Sequence, residues 1–249
     1  MQGRLYDLGS FDIPGVASQR RIRAYVHPRR SSRPSPRPLL VVFDGQNVFG
    51  DEGSYAGGWY LHHAIDRYAK RRARPPVVIA IDHGNDARID ELAPFHDGVR
   101  GGKAEALIGW VASVLVPGLR GELDLVTTPQ GTVLAGSSLG GLAAMYGHFK
   151  FPETFGGVIA MSPSFWFAGR RIFEFVGQQA TPWTSKVYLD AGRREMRGAA
   201  VQMTTEMAKH LVGRGYGSDR LKLRDDPRGG HDERAWRRRL PGALRFMFG

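Results

Sequence analysis

The 249 residues include no cysteine. That removes disulfides, thiolate nucleophiles and cysteine-ligated zinc together. No apolar run approaches the ~20 residues that a membrane span needs. The opening "MQGRLYDLGSFDIPG" has neither the basic leader nor the apolar stretch of a secretory signal, so the expected location is the cytoplasm. No H-x-x-x-H pair or dense carboxylate cluster points to a metal. His62 and His63 are adjacent and cannot share one helical face, which argues against a metal pair. Helix-turn-helix, zinc-finger and RNP-like signatures are also missing. Acidic residues are the scarcer charge: 24 against 35 basic ones, a formal net charge of +11. The basic residues are mostly arginine and scattered, densest at 29–37, 70–74 and 237–239. They read as a solvated surface. The expectation is no metal, no cofactor, no nucleic-acid partner and no membrane partner.

What is present has the make-up of a soluble globular protein: 42% hydrophobic and 24% charged. The length suits one α/β domain over 1–249. "LLVVF" (39–43) and "PVVIAID" (76–82) are continuously apolar, like strands covered on both faces. "GTVLAGS" (131–137), "GGVIAMS" (156–162), "KVYLDAG" (186–192) and "RLKLRDD" (220–226) continue the series, and 19–28 partly alternates. Helical spacing is expected over 59–73, 103–119, 170–180, 198–215 and 232–248, the last interrupted at Pro241. The basic, Pro/Ser-rich segment 29–38 reads as a loop. Strands alternating with helices predict a mostly parallel central sheet with helices on both faces.

At 134–157, "LAGSSLGGLAAMYGHFKFPETFGG" places two serines among glycines. An apolar strand precedes them, and an amphipathic helix is expected after them. Gly136-Ser137-Ser138-Leu139-Gly140 fits G-x-S-x-G with Ser138 at its centre, in the strand–turn–helix context of a nucleophile elbow. The glycines have a steric reason, because a sharp turn strains the serine and its neighbours must lack bulk. The bland alternative is a serine N-cap with glycines serving packing. Ser137 would need the pattern centred one residue earlier, and position 135 is alanine.

A serine hydroxyl needs a base. Only His231, in "GGHDERAW", follows a late strand and precedes the last helix. The acid belongs at a strand end between the two, and "KVYLDAGRREM" offers both Asp190 and Glu195. Residue order alone leaves both open.

Six stretches together resemble the esterase D-like branch of the α/β hydrolases, a branch that includes enterochelin esterases, S-formylglutathione hydrolases and mycolyltransferases. They are 41–49, 57–66, 87–95, 136–167, 187–195 and 229–236, in family order. The resemblance implies an α/β-hydrolase fold, with Ser138 as nucleophile, His231 as base and Glu195, rather than Asp190, as acid. It also implies an oxyanion hole built from the Gln46 and Leu139 amides. The implied activity is ester hydrolysis through an acyl-enzyme on a small or medium ester, a siderophore ester among the options. An acyltransferase using the same acyl-enzyme, or a non-catalytic binding protein on the same fold, are the alternatives. Walls are expected from the loops after the strands, with Trp59, Arg88, Phe165 and Trp166 as candidate substrate contacts; Phe165–Phe167 have an equal claim to the core. Arg88, Arg193, Arg194 and Arg228 are expected to make the mouth electropositive.

Overall fold

The structure is a computed structural model that describes residues 2–28, 35–54, 56–71 and 74–249. Most of the expected 29–38 loop, and the end of the 59–73 helix, lie outside the described residues. Eight strands form one sheet: β1 (Arg4–Phe11), β2 (Arg20–Val26), β3 (Leu39–Phe43), β4 (Val77–Ile81), β5 (Thr132–Ser137), β6 (Gly157–Met161), β7 (Lys186–Gly192) and β8 (Leu221–Asp226). Their order is β1-β2-β4-β3-β5-β6-β7-β8. The pairs β1–β2 and β2–β4 are antiparallel, and every other neighbour is parallel.

The apolar runs at β3 and β4 behave as their composition requires. Leu39, Val41 and Phe43 enter one core, while Leu40 and Val42 enter the other. Both faces are therefore covered, which explains why these strands do not alternate with polar residues. The second core is closed by α1 (Leu61–Ala69) and by α8 (Glu233–Phe248), the last helix. The first is closed by α2 (Arg88–Leu92), α3 (Ala104–Trp110), α4 (Val116–Glu122), α5 (Leu139–Lys150), α6 (Phe167–Gln178) and α7 (Ala199–Gly213). A π-helical turn, Val111–Leu115, joins α3 to α4 just before Pro117, whose missing N–H disturbs the ordinary ladder. Among the described residues no helix is long and apolar enough to cross a membrane.

Two local expectations need correction, and one strand carried no sequence signal. Helix α5 is not amphipathic: every residue from Leu139 to Phe149 is buried. Even His148 is enclosed, with Nδ1 2.9 Å from the Phe155 carbonyl, and burial lowers its pKa to about 4. Helix α8 is not interrupted at Pro241 but continues to Phe248. Trp236, Leu240, Ala243, Leu244 and Met247 anchor it in the core on both sides of the proline, which offsets the lost hydrogen bond. Strand β1 was not expected at all. It is an exposed edge strand whose register shifts between Asp7 and Gly9, so it carries no buried stripe to read.

Candidate active site

Strand β5 ends at Ser137, which is buried, and the chain turns at Ser138 with φ 55° and ψ −122°. That region is strained for any side-chain-bearing residue, and such strain concentrates at functional sites. The turn is fixed on both sides. Ser138 N–H donates to the Met161 carbonyl (3.0 Å), and the Ser138 carbonyl accepts from Leu142 (3.1 Å) and Ser164 (3.0 Å). Two glycines make the crossing possible. A side chain on Gly136 would overlap the Gly140 backbone, and a Cβ on Gly140 would fall 2.8 Å from Asp44 Oδ2. The serine turn thus lies directly against the turn that follows β3.

That second turn is itself strained, with Asp44 at φ 58°. Asp44 is held by Arg88 in a two-pronged ion pair, Nε–Oδ1 at 2.6 Å and Nη2–Oδ2 at 2.8 Å. The Gln46 side chain clasps His83, donating to its carbonyl (3.0 Å) and accepting from its amide (2.9 Å). Among the described residues, neither the Gln46 amide nor the Leu139 amide donates to a protein acceptor. Two N–H groups are therefore left unpaired on adjoining turns.

Glu195 and His231 meet across two loops. Arg193 N–H donates to the Asp226 carbonyl (3.0 Å) and Arg194 N–H to the Gly229 carbonyl (3.1 Å), lacing the loop after β7 to the one before α8. His231 Nδ1 lies 2.9 Å from Glu195 Oε2. The other carboxylate oxygen, Oε1, accepts from the Gly192 amide (2.7 Å) and the Ser162 hydroxyl (2.7 Å). Trp236 packs edge-on against the His231 ring, with centroids 5.1 Å apart. Asp232 caps α8 by accepting from Ala235 N–H at 2.9 Å, which sets the direction of the chain just after His231.

Asp190, the other candidate acid, is fully buried and not joined to His231. Its Oδ1 accepts from the Ser162 amide (3.2 Å) and lies 3.3 Å from Arg239 Nε. Burial pushes its pKa up to about 7, against the pull of Arg239.

The Ser138 hydroxyl faces Ser164 Oγ at 3.3 Å rather than His231. The His231 side chain is 45% exposed, so it has room to move. Among the expected wall residues, Trp59 is 1% exposed and sits against Trp236, and Phe165 is 0% exposed. Both belong to the core, because each ring fills space between sheet and helix. Arg88 is committed to Asp44. Trp166 is 49% exposed and remains available as a wall. Sequence reasoning missed Ser162, Trp236 and Arg239 as parts of the site. The signal for the first was its place immediately after a buried strand. Trp236 and Arg239 are spaced i, i+3 on the helix that His231 introduces.

Comparison with known proteins identifies the family. The model of the family described as "Putative esterase" matches residues 15–247. The iron(III) salmochelin esterase of Escherichia coli O6:H1 (strain CFT073) is 30% identical over 252 residues, covering 94% of this chain and 56% of that protein. The uncharacterized protein YbbA of Bacillus subtilis (strain 168) is 22% identical over 246 residues and is covered over 94% of both chains. This chain thus spans about half the length of the siderophore esterase but nearly all of YbbA. Among solved structures, the BES protein from Bacillus cereus superposes with a TM-score of 0.76 at 18% identity, over 99% of this chain and 95% of that one. With the match running across nearly its whole length and an eight-stranded α/β-hydrolase sheet beneath it, the chain belongs to this esterase family.

Proposed function

We propose that the protein is a serine carboxylesterase that uses Ser138, His231 and Glu195 through an acyl-enzyme. The observation that carries this reading is the Glu195–His231 pair at 2.9 Å, joined through the segment Met161–Ser164, which bonds both Glu195 and Ser138, to a serine held at φ 55° in a G-x-S-x-G turn. In the proposed cycle an ester carbonyl approaches Ser138, and the serine swings from Ser164 to His231 Nε2. Catalytic hydrogen bonds often tighten only when substrate is bound. His231 takes the serine proton as the oxygen attacks, while Glu195 holds the Nδ1–H tautomer and stabilises the imidazolium. The Leu139 and Gln46 amides receive the oxyanion, and each such donor is typically worth roughly 3–4 kcal/mol. His231 then protonates the departing alcohol, and water repeats the sequence to release the acid.

For the substrate we propose a small or medium ester, with siderophore esters foremost because a 30% identical relative bears that name. The test is a panel of p-nitrophenyl acyl esters, glycerol esters and ferric and apo siderophores against wild type and Ser138→Ala. Turnover by wild type alone supports the reading. A folded Ser138→Ala protein that keeps its activity overturns it. Acyl transfer to an added alcohol in preference to water would assign an acyltransferase instead.

A further inference from the structure

Beneath the Glu195–His231 pair lies a buried set of groups that the proposed reaction does not use directly. Arg239 is 0% exposed, 3.3 Å from Asp190 and 3.6 Å (Nη1–Oε1) from Glu195. It also donates through Nη2 to Ser162 Oγ at 2.8 Å. Trp236 Nε1 donates to the same oxygen at 2.9 Å.

The proton inventory at Ser162 is decisive. An indole N–H and a guanidinium N–H are obligate donors, so both lone pairs of the hydroxyl are taken. Its single proton is left for Glu195 Oε1, 2.7 Å away. The Gly192 amide delivers a second proton to Oε1. An oxygen that receives two hydrogen bonds here has no place for a proton of its own. If Glu195 held a proton it would sit on Oε2, facing His231, and would force the ring into the Nε2–H tautomer, which cannot act as a base. Arg239 opposes that state by its charge. Ser162 is itself fixed, with φ 43° and its amide bound to both the carbonyl and the carboxylate of Asp190.

We propose that Arg239 and Ser162 are positioning residues that keep Glu195 ionised and aimed, and so keep His231 in its basic tautomer. This rests on the triad reading above. Asp190 supports the division of labour. One guanidinium serves two carboxyls, and Asp190 Oδ2 receives no hydrogen bond from Arg239 or the backbone, so a proton can reside there, with the Tyr188 hydroxyl as its neighbour. Burial pushes Asp190 towards that protonated form, which leaves the charge of Arg239 for Glu195. Other charged or titratable groups near the pair include Tyr188 of β7, Arg224 and Asp226 of β8, the latter engaged by Arg238 at 3.6 Å, and Glu233 of α8.

The test uses Ser162→Ala, and Arg239→Met combined with Asp190→Asn, which removes the guanidinium together with the second carboxyl that it serves. Each is followed by kcat and KM across pH and by the 15N tautomer signature of His231. The expected result is a kcat loss of at least about tenfold, up to the about 10⁴-fold cost of a wrong tautomer, with KM unchanged. The acid limb of the profile should move to higher pH, because removing a cation or a donor beside the carboxylate favours the protonated pair. Folded variants with wild-type kcat, pH profile and tautomer overturn the proposal, as does a loss confined to KM. If Ser138→Ala is inactive while these variants behave as wild type, only the positioning role fails. If Ser138→Ala is active, the triad reading fails first.

Discussion

Replacing Glu195 with glutamine changes one oxygen to an NH2 group, and the structure dictates which one. The Oε1 site receives two donors, Ser162 O–H and Gly192 N–H, both at 2.7 Å. An amide NH2 placed there would face two donors, so the glutamine oxygen must occupy that site. The NH2 group is then turned to His231 Nδ1, where Oε2 stood at 2.9 Å. It donates, so Nδ1 must accept and the ring proton moves to Nε2. The base is lost although the geometry survives. A wrong tautomer of this kind costs up to about 10⁴ in kcat, or about 5.5 kcal/mol in barrier at 1.36 kcal/mol per decade. Asp190→Asn should lose far less, since Asp190 touches neither His231 nor the serine, and an asparagine oxygen still accepts from the Ser162 amide. The assay is steady-state hydrolysis of a p-nitrophenyl ester, with circular dichroism to establish that each variant is folded. A folded Glu195→Gln protein within about tenfold of wild type, or a larger loss for Asp190→Asn, would refute the reasoning.

A fluorophosphonate probe should label Ser138, and Ser138→Ala should abolish both labelling and all but residual turnover; a label on Ser137 would shift the assignment by one residue. Asp190→Asn should raise the melting temperature more at pH 8 than at pH 5. The raised carboxyl favours its protonated form in the fold, so its contribution is present below the unfolded value and is lost between about pH 4 and pH 7; an equal gain at both pH values would count against a buried neutral acid. Gly140→Ala should destabilise the fold by about 1–3 kcal/mol in denaturant titrations, because its Cβ would press on Asp44 and displace the Arg88 pair. An anionic ester should show a kcat/KM advantage over its neutral analogue that fades as salt shortens the Debye length from about 30 Å at 0.01 M to about 8 Å at 0.15 M, and Arg194→Gln with Arg228→Gln should remove it. Equal salt responses of the two esters would leave those arginines as surface composition.

The strands that hold the site were legible because burial on both faces leaves an unmistakable Val/Ile/Leu run, as at 39–43 and 77–81. The turn at Ser138 was legible because only glycine fits where α5 crosses β5. The choice between Asp190 and Glu195 was not a matter of spacing. Both stand at the end of one strand, and what separates them is tertiary: Asp190 points into the layer beneath, towards Arg239, while Glu195 lies in a loop stitched to the loop of His231. Ser162 was illegible for a related reason. Its importance comes from four partners on three other segments, Asp190, Glu195, Trp236 and Arg239, and the first serine of "MSPS" announces none of them. Trp59 and Phe165 misled because an aromatic residue beside a catalytic loop has the same composition whether it faces substrate or core.

Charge was the feature hardest to place, and the structure divides it. Of the four arginines expected over the site, Arg88 is bound to Asp44 and Arg193 to Asp225 at 2.7 Å, which leaves Arg194 and Arg228 exposed. Another group gathers elsewhere. Arg67, Lys70, Arg71 and Arg245 surround a cleft of about 450 Å³ between α1 and α8. Helix α8 starts beside the loops of the candidate site and ends where strands begin: Lys186, at the start of β7, donates to the Phe246 carbonyl at 3.2 Å. Helix α1 likewise runs from the loop after β3 back towards the start of β4. The cleft therefore opens at the edge of the sheet opposite Ser138. Charges at that cleft lie a strand length from Ser138, beyond the Debye length at physiological salt, so an electrostatic preference of the candidate site draws on the exposed arginines at its own end of the sheet, Arg194 and Arg228 among them, and not on the cleft.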